Sequence, residues 1–401
     1  MAPPIEPSTP SQARHNLTSI DALLEVARLQ LGMDVAFIAE FSGDQRVMRH
    51  ISSNGPVGIA PGDSDPLADS YCQRIVDGRL PRVIPDATAN PVSAALAVTA
   101  AAHIGAYIGV PVVFRDGQVY GTLCSLQFEP EPTLTSRDAS VLSVIAKAVS
   151  ELLEDERASR DERDAIRSRI STLITEGGPT LVYQPIVDTH KHRLAGVEAL
   201  SRFPVGSGLS TQAWYVAAAE VDAEPALELS AARAAVGVLD ELDGYLSINL
   251  SARTICTPAA QHFLAGLPLN RVVVELTEHV HIPDYDVLAA ALRPLRAGGL
   301  RLAVDDAGAG FASLQHILRL SADIIKLDRS LISGVQDDPA RQALVRALLR
   351  FATDTGAVVV AEGVETEAEL AALGQLQIRY VQGYLLGRPV PWAHLRQRVF
   401  A

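Results

Sequence analysis

Short apolar runs alternate with helix-length segments through the second half of the chain. The runs lie near Leu181, Leu194, Tyr245, Val272, Leu302, Ile324, Val358 and Tyr380. This alternation is typical of parallel strands that crossover helices bury on both faces. Eight such strands predict a TIM-type (β/α)8 barrel, whose active site lies at the carboxyl ends of its strands.

The first half of the chain has a different pattern. Apolar residues recur at helical spacing from about 17 to 33, and the runs VAFIAEF and QRVMRHIS, joined by Ser42-Gly43-Asp44, predict a β-hairpin. Helices are predicted at about 67–76 and 92–103. A second hairpin is predicted around Asp116-Gly117, between AYIGVPVVF and QVYGTLCSLQF. These elements predict an α+β domain.

A long helix is predicted from Ser136 to about Leu173, because an apolar stripe passes into the charged run EDERASRDERDAIRSRI. Pairs such as Glu156 with Arg160 support an exposed helix. Two interpretations stay open at this point. The charged run is either a solvated helix face or a signalling helix that pairs with its copy in a dimer.

Composition narrows the function. The chain has 401 residues, 48% of them hydrophobic, and a formal net charge of -13, which disfavours nonspecific binding to nucleic acid polymers or anionic membranes. Three scattered cysteines fit neither a disulfide framework nor a zinc motif, so we expect a cytoplasmic protein. Residues 1–16 are predicted to be a disordered leader. The apolar stretch Ser93 to Phe114 is interrupted by glycine and proline, and it predicts a helix and a strand rather than a membrane span.

Polar residues stand at the ends of the predicted barrel strands. They are Glu198, Asn249, Glu275, Asp305, Asp306, Lys326 and Glu362. Five acids at one rim repel one another unless cations lie among them, so the pattern predicts a metal site. Taken singly, each acid could instead form a salt bridge or a helix cap. Asn249 could be a turn residue, and Asp305 and Asp306 could cap a helix beginning near Phe311.

Other candidate chemistry is weaker. His190, His192, His279 and His281 lie in polar segments, and loop packing is favoured over metal ligation for them. The chain has no serine in a nucleophile elbow and no phosphate-binding glycine loop.

Eight ordered motifs then resemble the EAL family of cyclic di-GMP phosphodiesterases. They are YQPIVD, GVEALSRF, SINLSA, VELTE, VDDAGAGFASL, ADIIKLD, VAEGVE and VQGYLLGRP, and they cover roughly Thr172 to Ala401. The resemblance implies metal-dependent hydrolysis of cyclic di-GMP to linear pGpG. It implies two divalent cations, Mg²⁺ or Mn²⁺, about 3.5 to 4 Å apart. Glu198, Asn249, Glu275 and Asp305 would hold one ion, and Asp305, Asp306 and Glu362 the other.

The resemblance also implies roles for further residues. Lys326 would orient or deprotonate the attacking water, and Glu198 and Glu362 would be catalytic as well as metal ligands. Gln184, Arg202 and Gln382 would contact substrate, phosphate or water. Glu278 would fix the loop after the two aspartates, and Glu365 would support the second metal position.

The sequence departs from the family in that loop, where Ala307 replaces the usual phenylalanine and Ala309 the frequent threonine. Two alternatives therefore stay open. A catalytically silent EAL domain would only bind cyclic di-GMP and signal to a partner. Without the family, acids and a lysine at strand ends also fit an enolase-type barrel.

The first half resembles a GAF domain, chiefly through the YIGVPVVFRDGQVYGTLC hairpin. The resemblance implies a sensor that regulates the barrel in a homodimer, with an unknown ligand. A module that serves only for dimerisation stays open as an alternative. Cys72 or Cys124 could attach a bilin or ligate haem, but a small core residue is the favoured interpretation. The predicted domains are a leader at 1–16, a GAF-like domain at 17–155, a helical linker at 156–173 and an EAL domain at 174–401.

Overall fold

The computed structural model describes residues 19–204, 206, 208–276, 282, 284–307 and 311–399, without the side chains of residues 306, 311–314, 398 and 399. The chain divides into two compact units after Asp161. The finer domain boundaries stay predictions.

The first unit is a six-stranded antiparallel sheet with helices. Its elements are α1 (Ile20–Gln30), β1 (Val35–Ser42), β2 (Gln45–Ser53), β3 (Ser64–Pro66), α2 (Tyr71–Val76), β4 (Val83–Ile84), α3 (Pro91–Ala94), α4 (Ala97–Ala101), β5 (Ala106–Val113) and β6 (Val119–Gln127). The strand order is β3-β2-β1-β6-β5-β4. Both predicted hairpins are present, as β1 with β2 and β5 with β6.

Two predicted helices of this unit are interrupted. The segment from residue 67 begins with a 3₁₀ turn, Leu67–Asp69, and Ser70 then caps α2. The predicted helix at 92–103 is two short helices, because Leu96 takes an extended backbone conformation between α3 and α4. This break buries the Leu96 side chain.

The predicted long helix is confirmed as α5 (Ser136–Thr175). Its apolar residues Leu142, Ala146 and Val149 are buried, while residues 155–165 are exposed. The exposed segment fits a solvated helix face, and pairing with a second copy stays a prediction.

The second unit contains a closed eight-stranded barrel with the order β10-β11-β12-β13-β14-β7-β8-β9. Its strands are β7 (Thr180–Asp188), β8 (Arg193–Arg202), β9 (Tyr245–Asn249), β10 (Val272–Leu276), β11 (Arg301–Ala307), β12 (Ile324–Leu327), β13 (Val358–Ala361) and β14 (Tyr380–Gln382). The barrel predicted from the apolar runs is confirmed, with a strand at each of the eight positions.

Helices surround this barrel. They are α6 (Thr211–Glu220), α7 (Glu224–Ala235), α8 (Ala252–Ile255), α9 (Pro258–Ala265), α10 (Tyr285–Ala297), α11 (Phe311–Leu320), α12 (Arg329–Ile332), α13 (Pro339–Thr355), α14 (Glu367–Gln375) and α15 (Trp392–Val399). Thr257 and Asp338 cap α9 and α13, each directly before a proline at the first helical position.

The expectation of parallel neighbours is wrong for β7. This strand is antiparallel to both β8 and β14. Only residues 189–192 join β7 to β8, and so short a connection allows a hairpin but no crossover helix. The reversal brings the beginning of β7, rather than its end, to the rim at which the other strands end.

One layer of side chains fills the barrel interior. It consists of Ile186, Tyr245, Val273, Ala303, Ile324 and Val360. Because successive strand residues point to opposite faces, the next inward position on each strand lies two residues away. We call this layer the apolar floor. The polar residues of the rim lie directly above it.

Candidate active site

The polar residues of the rim follow from the two-residue period of the strands. Glu275 lies two residues after Val273, Asp305 two after Ala303, Lys326 two after Ile324 and Glu362 two after Val360. On the reversed strand β7, Gln184 lies two residues before Ile186. Each of these side chains therefore occupies the inward position directly above the apolar floor.

Lys326 is at the centre of the carboxylates. Its Nζ lies 2.6 Å from Glu362 Oε1, 2.8 Å from Glu275 Oε2 and 3.3 Å from both Glu198 Oε2 and Asp305 Oδ1. The Lys326 side chain is only 2% exposed. A buried ammonium is stable only with compensating charge, which these four acids supply.

Amide groups surround Glu198. Gln382 Nε2 donates to Glu198 Oε2 at 2.7 Å, and Asn249 Nδ2 donates to Glu198 Oε1 at 3.1 Å. The same Gln382 nitrogen also donates to Gln184 Oε1 at 3.1 Å. Gln184, Asn249 and Gln382 are thus fixed in one network with a single carboxylate.

Ser247 is a member of the site that sequence reasoning missed. It lies two residues before Asn249 on β9, is fully buried, and donates its hydroxyl hydrogen to Glu275 Oε1. The two-residue period of β9 could have identified Ser247, because every second residue of a strand lies on the same face. Tyr245, Ser247 and Asn249 therefore all point inward.

Asp305 is positioned by an irregularity in β11. The pairing of β11 with β12 shifts register between Val304 and Ala307, so Asp305 and Asp306 occupy a bulge. Bulges of this kind redirect side chains at barrel rims. Ala307 is fully buried. It belongs, with Leu327, to the apolar core between the strands and the surrounding helices. The backbone of Ala307 pairs with Leu327 of β12.

Burial and the neighbouring charges shift the pKa values of the side chains at the barrel mouth. Burial raises the pKa of Glu275 to about 8, with the negative charge of Glu198 adding to the effect. For Glu198, burial is outweighed by Lys326 and by the amide hydrogen bonds, so its pKa is lowered. Burial alone would lower the pKa of Lys326, but the surrounding acids raise it well above its ordinary value.

A cavity of about 230 Å³ opens above this group. Its lining includes Glu198, Asp305, Lys326, Glu362 and Gln382, with Gln184 and Glu365 beside them. Glu365 pairs with Arg329 at 3.0 Å across the mouth. Arg202 ends β8 at the same rim but is exposed, and its Nη1 donates to the Ser201 carbonyl.

Some predicted residues lie elsewhere or outside the described part. The structure does not describe the side chain of Asp306 or any part of Glu278, His279, His281 and Ala309. His190 and His192 are exposed in the turn between β7 and β8, which is at the opposite end of the barrel. Their interpretation as loop residues fits this placement.

The donor set fits divalent cations, although the ammonium now takes the central position. Within the described ranges, no three acidic, histidine or cysteine side chains form a ready metal-binding group. Four carboxylates nevertheless face a single ammonium. Asp305 Oδ1 is buried, and its polar contact in the described part of the chain is the ion pair with the Lys326 ammonium at 3.3 Å. An excess of carboxylate oxygens is the ligand chemistry that Mg²⁺ and Mn²⁺ prefer.

Family models match both units. The EAL domain model matches residues 167–389, more than half of the chain, and the GAF domain model matches residues 19–154. In the described part of the chain, we find no helix with the length and apolarity needed to cross a bilayer.

Individual relatives support the barrel assignment. The probable cyclic di-GMP phosphodiesterase PdeG of Escherichia coli is 31% identical over 237 residues, 55% of this chain and 46% of that protein. The crystal structure of an EAL domain protein from Listeria monocytogenes superposes with a TM-score of 0.51 at 26% identity, covering 60% of this chain and 96% of that one. The PaMucR phosphodiesterase in complex with c-di-GMP gives a TM-score of 0.50 at 28% identity, covering 58% and 99%. The chain spans less than half the length of the curated relatives it matches.

Proposed function

The chain belongs to the EAL domain family, and on that premise we propose that its barrel is a metal-dependent phosphodiesterase that hydrolyses cyclic di-GMP to linear pGpG. The observation that carries the proposal is the group of four carboxylates around Lys326 at the barrel mouth. The c-di-GMP complex of a similar barrel supports the choice of substrate.

We assign the ligands of two divalent cations by the motifs. Glu198, Asn249, Glu275 and Asp305 would hold one cation, and Asp305, Asp306 and Glu362 would hold the other. Bound there, Mg²⁺ or Mn²⁺ would neutralise the phosphate and acidify the attacking water. Asp305 Oδ1 contacts the Lys326 ammonium at 3.3 Å and accepts no closer hydrogen bond from the described residues, which supports its role as the shared ligand.

Lys326 acts on the water in this proposal. Its ammonium has three hydrogens and stands within 3.3 Å of four carboxylates, so it can exchange one carboxylate contact for a water molecule. The charge of Lys326 then holds that water against the phosphorus. A fixed donor of this kind lowers the barrier by removing the cost of orientation.

Gln184, Gln382 and Arg202 contact the substrate. The two glutamines are buried, joined by a hydrogen bond and open to the cavity, which suits neutral recognition of a phosphate or a water. Arg202 is exposed at the rim, where its planar guanidinium can donate two hydrogen bonds to a phosphate that enters from solvent.

A second candidate function is a receptor that binds cyclic di-GMP without hydrolysing it. One observation favours it: the described carboxylates are arranged around an ammonium rather than as a ready metal group. Ala307, where the family usually has phenylalanine, points the same way.

Incubation of the purified chain with cyclic di-GMP and Mn²⁺ or Mg²⁺, followed by chromatography of the nucleotides, tests the proposal. We expect pGpG to form and EDTA to stop its formation. Glu198→Ala and Asp305→Asn should abolish turnover. Glu241→Gln should not, because Glu241 is exposed, pairs with Arg396 and does not line the cavity. Binding without turnover would establish the receptor instead. Neither binding nor turnover would refute both and leave the enolase-type barrel.

The proposal includes regulation by the GAF domain in a cytoplasmic homodimer. The support is the match of the GAF model to residues 19–154 and the helix α5, which includes the boundary between the two units. Light scattering on the purified chain tests the dimer, and a monomeric mass at micromolar concentration would refute it.

A further inference from the structure

Two thiols meet in the core of the GAF unit. Cys72 lies in the first turn of α2 and Cys124 in the middle of β6, and their Sγ atoms are 3.9 Å apart although 52 positions separate them in the sequence. Both residues are fully buried. The third cysteine, Cys256, is exposed and belongs to the barrel unit.

A buried arginine accompanies the pair. Arg46 Nη1 lies 3.4 Å from Cys72 Sγ, and Arg46 Nε donates to Asp65 Oδ1 at 2.8 Å. The Arg46 side chain is 7% exposed and that of Asp65 is 44% exposed. The guanidinium therefore extends from the surface carboxylate to the inner sulfur. A positive charge held against a thiol favours its thiolate.

The two thiols differ in acidity. Burial by itself raises the pKa of Cys72, but the hydrogen bond with Cys124 and the charge of Arg46 outweigh it and lower that pKa. Burial and the neighbouring Cys72 raise the pKa of Cys124 well above its ordinary value. One sulfur of the pair is thus suited to attack as a thiolate, and the other carries a proton.

Gly109 and Tyr107 pack against the two sulfurs. Gly109 faces the Cys124 sulfur on the adjacent strand, and a Cβ at this position would stand 3.0 Å from Sγ. Tyr107 Oη lies 3.6 Å from Cys72 Sγ, and the Tyr107 ring stacks on Tyr71 at 4.4 Å. A disulfide requires the sulfurs to close from 3.9 Å to about 2.0 Å, a side-chain movement next to a glycine.

We propose that Cys72 and Cys124 form a redox-active dithiol, which a hydroperoxide oxidises to a disulfide. Nothing in the proposed phosphodiesterase reaction uses these residues. Hydroperoxide enters along the Arg46 side chain from Asp65, which is 44% exposed, while the guanidinium stays beside the Cys72 sulfur.

The chemistry balances in two steps. The Cys72 thiolate attacks one oxygen of hydrogen peroxide, an S–O bond forms, the O–O bond breaks, and hydroxide leaves. The Cys124 thiol then attacks the oxidised sulfur of Cys72. The S–S bond forms, the S–O bond breaks, and the departing hydroxide leaves as water with the proton of Cys124. Two thiol sulfurs are oxidised, and one peroxide is reduced.

The test is oxidation of the intact chain with hydrogen peroxide, followed by alkylation of the remaining thiols and peptide mass spectrometry. We expect a peptide pair linked through Cys72 and Cys124, formed with one equivalent of peroxide and faster than any modification of Cys256. In Cys124→Ala, dimedone should label Cys72 as the sulfenic acid, because the second step is blocked.

Arg46→Met should slow peroxide consumption at Cys72 by about tenfold at neutral pH, because most of the thiolate is lost. Arg49→Met is the matched control, since Arg49 lies on the same strand, faces the opposite side and pairs with Glu40. Two results would overturn the proposal. One is that both thiols stay reduced in the folded chain while urea makes them reactive, as for inert core cysteines. The other is equal oxidation rates in the Arg46 and Arg49 variants.

Discussion

Lys326 Nζ lies 2.6 Å from Glu362 Oε1, the shortest of its four contacts with carboxylates. The two residues belong to neighbouring elements, because Lys326 pairs with Val360 on β13 and Glu362 follows that strand directly. One ammonium thereby joins acids from four different strand ends. The stability of the barrel mouth and its chemistry consequently depend on the same side chain.

Replacement of Lys326 tests this double role. Lys326→Met should lower kcat by 10² to 10⁴, roughly the range for loss of a proton-transferring or water-orienting group. Without cations it should also destabilise the barrel by about 3 to 5 kcal/mol, because four acids lose their only described cation. Steady-state kinetics and thermal unfolding in EDTA measure the two effects.

Lys191→Met is the control for that substitution, since Lys191 is exposed in the turn at the opposite end of the barrel. It should leave both quantities unchanged. Addition of Mn²⁺ should reduce the loss of stability in Lys326→Met, because a divalent ion can take the place of the ammonium. A larger loss in Mn²⁺ than in EDTA would contradict the assignment of the surrounding acids as ligands.

Divalent cations should stabilise the native chain independently of turnover. At a concentration of 100 Kd, binding to the folded state contributes about 2.7 kcal/mol, which corresponds to a rise in Tm of roughly 5 to 10 °C for a unit of this size. Asp305→Asn should remove most of this rise, because Asp305 is the shared ligand. Differential scanning calorimetry with and without Mn²⁺ measures it.

Asp328→Asn provides a matched control for the cation effect. Asp328 lines the same cavity but caps α12, and asparagine caps a helix equally well. The rise in Tm should therefore survive in Asp328→Asn. If Asp305→Asn and Asp328→Asn retained the same rise, the cations would be bound by general surface charge instead of the proposed ligands.

The sequence allowed the barrel and the residues of its mouth to be predicted, because both depend on strand periodicity. Val273 and Glu275 illustrate this, since the alternation that buries one in the floor places the other above it. The direction of β7 was not predictable by the same rule. Its turn lacks the glycine that usually marks a tight hairpin, and His192 adopts the left-handed conformation instead, with φ of 48°.

Contacts between side chains on different strands of the barrel could not be predicted from the sequence either. Strand periodicity predicts that Lys326 points into the barrel. It does not predict that one ammonium contacts four acids. The bulge at Asp305 arises from the pairing of β11 with β12, which depends on tertiary register. The Cys72 and Cys124 pair has the same origin, since a helix and a strand far apart in the chain bring the thiols together.

An ion pair between the buried Asp188 and the half-exposed Arg379, at the opposite end of the barrel, should control its acid stability. Asp188, 3% exposed, accepts hydrogen bonds from Arg379 Nη2 at 2.6 Å and Nε at 3.0 Å. Chiefly through Arg379, the pKa of Asp188 is lowered to about 2. A carboxyl with a depressed pKa stabilises the fold above its unfolded pKa of about 3.9 and loses that contribution as the pH falls toward 2.

Arg379→Met should therefore make the barrel unfold at higher pH than the native chain, and Asp188→Asn should flatten the stability curve between about pH 4 and 2. Urea unfolding followed by tryptophan fluorescence measures this, because Trp214 and Trp392, the two tryptophans of the chain, both belong to the barrel unit. Parallel curves for the native chain and Asp188→Asn in this range would exclude Asp188 as the controlling group.

Glu228 should make the barrel less stable as the pH rises through neutrality. This α7 residue is 9% exposed, and its Oε2 accepts hydrogen bonds from the Ser251 backbone N at 2.9 Å and Oγ at 3.0 Å. Burial raises its pKa to about 7, despite the opposing hydrogen bonds. A group with a raised pKa in the folded state contributes stability that is complete below its unfolded pKa of about 4.3 and lost as the pH passes 7.

Glu228→Gln keeps an oxygen acceptor for Ser251 and removes the charge. It should match the native chain near pH 4 and be more stable than the native chain at pH 8, by roughly 3 to 4 kcal/mol. Urea unfolding at the two pH values measures the difference, with Glu367→Gln as the control, because Glu367 is an exposed acid of the same unit. A variant that is less stable than the native chain at pH 8 would show that the ionised Glu228 stabilises the Ser251 turn, which would reverse the sign derived from its burial.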